Sequence, residues 1–130
     1  MKQILILALL LAGCGAVRSA DELSRTWRAV CAVESGGNTL AYNDSEKAVG
    51  IAQIRPIMVA DVNRFSTVKY QHSDAWDPEK SYEIFRAYCL HYFPKGSSEQ
   101  WARAWNGGPK GPGKSATLRY WRRVQFHMSR

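Results

Sequence analysis

The sequence predicts an α+β fold that is mainly helical, with one small β-hairpin inserted after the first helix. Three observations carry this. Apolar residues recur at helical spacing in residues 23–35, in the stretch after Pro78 and in residues 115–128. Pro56 and Pro78 stand at the head of such stretches, where the fixed φ of proline suits a first helical turn. Between Ala41 and Ile54 the pattern changes, with a polar, turn-rich run (Tyr42 to Glu46) followed by an apolar, β-tolerant one (Ala48 to Ile54).

The first helix is expected over residues 23–35, with Asp21 or Ser24 available as its cap. Trp27, Val30, Cys31 and Glu34 share one face of it, and Gly36 and Gly37 stop it. Pro56 opens a helix to about Phe65. Pro78 opens another, with Tyr82, Phe85, Cys89 and Tyr92 on one stripe, ended by Pro94, Lys95 and Gly96. Ser98 starts a short helix through Trp101 and Ala104 that closes near Asn106, Gly107 and Gly108. A glycine- and proline-rich loop to Lys114 precedes the last helix, anchored by Tyr120, Trp121 and Val124.

The 130 residues fit one domain, and the first 20 read as a targeting segment: Lys2 supplies charge, Ile4 to Leu11 an apolar run too short to span a bilayer comfortably. The tetrad Leu11-Ala12-Gly13-Cys14 resembles the lipobox of bacterial lipoproteins, which implies cleavage before Cys14, its lipidation and a periplasmic, outer-membrane-anchored protein. Ordinary cleavage after Ala16 or Ala20, releasing a soluble protein, is the alternative. With Cys14 assigned to lipid, Cys31 and Cys89 remain, either as a disulfide in an oxidising compartment or as buried thiols. The net charge of +7 suits an anionic partner such as cell-wall polymer or lipid headgroups, and five Trp, six Tyr and four Phe suit aromatic packing and sugar stacking.

Residues 108–115 (GPKGPGKS) match the phosphate-binding loop pattern letter for letter. That motif needs a buried strand before it, but the segment from Glu99 to Trp105 has helical character. Too little chain follows Ser115 to build a parallel sheet, so nucleotide binding is rejected. Nucleic-acid binding through Arg119, Arg122, Arg123 and Arg130 lacks a reading-helix motif.

Glu34 is the leading candidate for chemistry. A carboxylate on an apolar face at a helix C-terminus meets both desolvation and the negative end of the helix dipole, and both favour its protonated form. An acid held protonated near neutral pH is a proton donor.

Three separated pieces occur in order: Glu34-Ser35 after a helix, Gly50-Ile51-Ala52-Gln53 after the hairpin turn, and Ala104-Trp105-Asn106-Gly107-Gly108 at a late helix end. This ordered set resembles the catalytic domain of soluble-type lytic transglycosylases and, more broadly, the goose-type lysozyme superfamily. The resemblance spans roughly Leu23 to Val124 and implies a lysozyme-like fold over residues 21–130, with the hairpin following the catalytic helix. It implies that Glu34 acts as acid and then base, that Ser35 supports the bound sugar or orients Glu34, that Gln53 contacts substrate, and that Asn106 contacts substrate or ties the helix ends together. Trp105 stands where the family usually has Tyr, which loses a phenol hydrogen bond but keeps an aromatic ring. Tyr42 in the hairpin is a further substrate-binding candidate. Asp44 matches the spacing of a second acid in goose-type lysozymes, with Glu46 and Asp61 as other candidates; Arg55 stands where that subgroup can carry a further acid.

The resemblance implies cleavage of the peptidoglycan bond between N-acetylmuramic acid and N-acetylglucosamine by a monomer with no cofactor. The sequence offers no convincing metal-ligand spacing, since His72, His91 and His127 are scattered. A lysozyme hydrolysing the same bond and a non-catalytic wall-binding lipoprotein are the alternatives.

Overall fold

The computed structural model describes the backbone of residues 2–130 and the side chains from Ser19 onward. The lipidation expected at Cys14 lies outside the described side chains. The protein is mainly helical, with helices α1 (Lys2–Ser35), α2 (Pro56–Phe65), α3 (Pro78–Tyr92), α4 (Ser98–Gly107) and α5 (Leu118–Met128). An antiparallel hairpin of β1 (Tyr42–Asn43) and β2 (Ala48–Val49) follows α1, with Tyr42 opposite Val49 and Asn43 opposite Ala48. Among the described residues no helix is long and apolar enough to cross a membrane.

The helix ends follow local chemistry. Asp77 caps α3 by accepting from Glu79 N at 2.9 Å, with Pro78 in the first turn. Ser97 and Gln100 form a capping box at α4: the Ser97 hydroxyl accepts from Gln100 N at 3.2 Å, and Gln100 Oε1 accepts from Ser97 N at 3.0 Å. Neither Asp21 nor Ser24 caps α1, because the helix runs through both. The Ser24 hydroxyl instead accepts from Arg28.

The core joins all five helices. Val30 of α1, Val62 of α2, Ile84, Phe85 and Cys89 of α3, Trp101 of α4 and Val124 of α5 are sealed from solvent, together with Ile54 beyond the hairpin. Trp27 lies across Tyr82 and Phe85, with ring centroids 5.5 and 5.2 Å away. The buried face of α3 is centred on Ser81, Ile84, Phe85, Tyr88 and Cys89, while the expected Tyr82 and Tyr92 sit at its margins, partly exposed. Ser81 is tolerated inside because its hydroxyl donates to Ala75 O at 2.9 Å.

Cys31 and Cys89 stand as free buried thiols, not as the expected disulfide. Burial, reinforced by nearby Glu34, pushes the Cys31 thiol up to about 12, and burial holds Cys89 well above its ordinary value. The thiolate that begins disulfide exchange is therefore strongly disfavoured at both.

The segment between α2 and α3, unassigned from sequence, contains a 3₁₀ turn, His72–Trp76. The hairpin docks on this turn. Gly50 has φ 78° and lies so close to the Ala75 carbonyl that a Cβ at this position would collide with it. His72 Nε2 lies 2.8 Å from Ile54 O, a second tie to the same strip of backbone.

The loop after α4 is held from inside the protein. Arg103 is buried, and its guanidinium donates to Thr117 Oγ1 (2.8 Å), Glu99 (2.8 Å) and Lys114 O (2.9 Å). Lys114 in turn donates to Gly107 O at 2.8 Å. The phosphate-loop lookalike is thus preceded by α4 and not by a strand, and its lysine is tied to backbone.

Candidate functional site

Glu34 lies in the last turn of α1, which carries no basic residue in that turn. The helix ends there because Gly36 and Gly37 adopt left-handed φ values of 63° and 82°, donating back to Ala32 O and Cys31 O. Ser35 fixes the direction of this end. Its hydroxyl donates to Ile51 O at 2.7 Å and lies 3.3 Å from Cys31 O. Ser35 thereby ties α1 to the Gly50–Gln53 turn.

Gln53 occupies the other side of that tie. Its φ of 52° is unusual for a side-chain-bearing residue. The conformation is stabilised by its own amide, whose Nε2 donates to Ala41 O at 3.1 Å and Gly50 O at 2.9 Å. With its amine end occupied, the carbonyl Oε1 is the end left to accept a hydrogen bond.

Glu34, Gln53, Trp105 and Asn106 line one cavity of about 110 Å³, together with Glu46, Arg55 and Met58. Arg55, Met58, Trp105 and Asn106 also line a neighbouring cavity of about 580 Å³ that runs along α2 to Arg64 and along the start of the loop after α4. The two cavities share this wall, and Glu34 lines the smaller. The larger lies within the range of roughly 300–1,000 Å³ that holds small ligands.

Burial raises the Glu34 carboxyl from its ordinary 4.5 to about 7, and Glu46 pushes the same way. Arg55, Arg123 and the Tyr120 hydroxyl oppose the shift. The Tyr120 hydroxyl is buried near Glu34 yet makes no hydrogen bond of ordinary geometry among the described residues. The arrangement thus holds a proton on Glu34 up to neutral pH beside groups able to accommodate the ionised form.

Trp105 is only 3% exposed, with Phe85 and Tyr88 edge-on to it at 5.2 and 5.5 Å. It forms groove floor, and its indole Nε1 has no partner among the described residues. Asn106 is exposed at the end of α4.

Two other candidates lie elsewhere. Asp44 has an 83% exposed side chain, pairs with Lys47 at 2.8 Å and does not line the Glu34 cavity. The carboxylate that the hairpin brings to Glu34 is Glu46. Tyr42 is exposed on β1, with its hydroxyl 3.3 Å from Asp44 and its ring 6.1 Å from that of exposed Trp76. Asp61 lines the larger cavity, where it meets Arg64 at 3.2 Å and accepts from Tyr92 at 2.6 Å.

Sequence reasoning missed Met58, Tyr120 and Arg123 as neighbours of the site. Tyr120 was legible only as a core anchor, because it shares the apolar stripe of α5. Arg123, one turn further along the same helix, could have been placed near it by spacing.

Residues 18–124 match the family model described as the transglycosylase SLT domain. No curated protein matches the chain. Among solved structures the chain is similar to a chain in the crystal structure of Aeromonas hydrophila PliI in complex with Meretrix lusoria lysozyme. The identity is 26% and the TM-score 0.66, covering 78% of this chain and 87% of that one.

Proposed function

The chain belongs to the transglycosylase SLT family, and from that premise we propose that it cleaves the β-1,4 bond between N-acetylmuramic acid and N-acetylglucosamine in peptidoglycan, releasing a 1,6-anhydro end. The observation that carries the reading is Glu34, a carboxyl raised to about 7 and lining one cavity with Gln53, Trp105 and Asn106. Glu34 gives its proton to the leaving glycosidic oxygen as the bond breaks. The muramyl acetamido group stabilises the cation-like C1. The Glu34 carboxylate, supported by Arg55, Arg123 and Tyr120, then takes the proton of the C6 hydroxyl as that oxygen closes on C1. Gln53 Oε1 and Asn106 hydrogen-bond the strand, and Ser35 orients Glu34 through Ile51 O.

One observation favours a second reading. Glu46 supplies a second carboxylate in the Glu34 cavity, and two carboxylates suit hydrolysis by a positioned water, as in a lysozyme. Mass analysis of muropeptides released from purified sacculi separates the two: anhydro ends support transglycosylation, and reducing ends overturn it. A Glu34→Gln variant that digests sacculi as fast as the parent removes Glu34 from both readings, and a parent that binds sacculi without digesting them leaves wall binding.

Residues 1–20 are read as a leader and Cys14 as the acylated residue of an outer-membrane-anchored periplasmic protein. A mature mass lacking the lipid increment, or unchanged membrane fractionation of Cys14→Ser, contradicts that.

A further inference from the structure

No Asp or Glu follows Glu99 in the sequence, and the last helix turns its cations outward. Tyr120 and Val124 of α5 are buried against the core, while Arg119, Arg122, Phe126 and Arg130 are exposed. Steps of three, four and four residues set these four on one stripe, opposite the buried one. Phe126 stands within that stripe and is 53% exposed. The Arg130 guanidinium lies 4.5 Å from the centre of its ring. An aromatic ring in solvent among arginines adds nothing to the core.

The neighbouring helix extends the same surface. Helix α1 packs beside α5, and Arg25 donates to Met128 O at 3.5 Å. Arg25, Arg28 and Arg130 line a cavity of about 200 Å³ with His127, and no carboxylate lines it. Among the described residues none of the arginines of this face forms an ion pair. The acids nearest in sequence do not neutralise them. Asp21, four residues before Arg25, makes no ion pair with it, and Glu22 is engaged by the Ser98 hydroxyl and N–H. Like charges gathered on one face disfavour the compact state, and a polyanionic surface offsets that repulsion. Two features select the kind of surface. A small cavity walled by guanidinium groups suits a phosphate, which arginine engages through paired N–H donors. Phe126 suits an apolar layer just beneath those phosphates, along which the arginine stems can also lie.

We propose that the outer face of α5, with Arg25 and Arg28 of α1, docks the protein on an anionic phospholipid surface. Arg25, Arg28, Arg122 and Arg130 meet headgroup phosphates, and Phe126 enters the acyl boundary. No residue of this face lines either cavity at Glu34, so a docked protein keeps its groove open to a strand. The contact requires neither a lipid on Cys14 nor any particular reaction at Glu34, and it stands or falls apart from both.

A fluorophore sensitive to polarity, attached through Ser129→Cys in the full chain carrying Cys14→Ser, reports this face directly. Any hold that residues 1–20 exert on a vesicle is common to all samples, so the label reads docking of the face and not attachment of the chain. Mixed phosphatidylglycerol–phosphatidylcholine vesicles should shift its emission to the blue, and pure phosphatidylcholine vesicles should not. Salt should diminish the shift. Each arginine near a charged surface is worth about fivefold, so Arg25→Gln/Arg122→Gln/Arg130→Gln should lower the docked-to-free ratio on the order of a hundredfold. The corresponding triple Lys variant keeps the charge and should keep the shift. Digestion of sacculi in solution should be the same for parent and triple Gln variant. Equal shifts on the two kinds of vesicle, no shift on either, or a shift that survives the triple Gln substitution overturns the proposal. A shift given by purified sacculi and not by vesicles also overturns it, and assigns the face to wall polymer.

Discussion

Replacing Glu34 by Gln should stabilise the protein, and only above a definite pH. The Glu34 carboxyl has an ordinary pKa of 4.5 and a folded value of about 7. Below the lower value it is protonated in the folded and unfolded chains alike, so its ionisation does not bias folding. As pH rises through the interval, the unfolded chain ionises freely in water while the folded chain holds its proton. Once pH passes the folded value, the native state carries a buried carboxylate that it disfavours. The stability present below pH 4.5 is thus lost by the time pH exceeds 7. At about 1.36 kcal/mol per pH unit, that interval corresponds to roughly 3 kcal/mol, an upper figure because Glu34 is partly exposed. Gln keeps the shape and does not titrate. Urea unfolding followed by tryptophan fluorescence should find parent and variant similar near about pH 4, with the variant ahead by roughly 2–3 kcal/mol near about pH 8.5. A stability difference that is the same at both pH values would refute the reasoning, because a shifted titration must appear as a pH-dependent difference.

Three further outcomes are expected. Tyr120→Phe removes a hydroxyl that favours ionised Glu34, so the alkaline limb of the kcat/KM profile should move to higher pH; movement downward contradicts the assignment. Gly50→Ala combines a left-handed backbone with a collision against the Ala75 carbonyl and should cost about 2–4 kcal/mol in denaturant unfolding. Arg103→Met leaves Thr117, Glu99 and Lys114 O without their buried donor and should cost about 2–4 kcal/mol. Limited proteolysis of Arg103→Met should find new cuts within residues 108–117; unchanged resistance there would show that the loop is held by something else.

Local signals carried much of the fold. Pro56 and Pro78 open their helices where expected, and α4 closes at Gly107 next to the anticipated glycines. These ends depend on chemistry within a few residues. The buried face of α3 was misjudged because aromatic bulk outweighed Ser81, whose burial depends on a carbonyl in another segment, that of Ala75. The His72–Trp76 turn escaped notice for a similar reason: it is short, and it is organised by Asp74 accepting from Gln71 N at 2.7 Å and by the hairpin against it. At the site, ordered motifs were enough to bring Glu34, Gln53, Trp105 and Asn106 to one cavity. They could not choose between the carboxylates of the hairpin. Asp44 is drawn outward by Lys47, whereas Glu46, two residues on, lines the cavity. Spacing equally left open whether Cys31 and Cys89 pair or stay as buried thiols, since that depends on how the folded core encloses them.

The two rims of the groove are each stitched by side chains bonded to backbone. On one side Ser35 holds Ile51 O, and Gln53 holds Ala41 O and Gly50 O. On the other, Arg103 holds Lys114 O, and Lys114 holds Gly107 O. A glycan strand therefore meets a cleft whose shape is set before it arrives, and docking demands little ordering of protein loops. Under the proposed function, a cleft tied in this way is entered by its polymer from the side, and release of the cut strand is set by the sugar contacts broken.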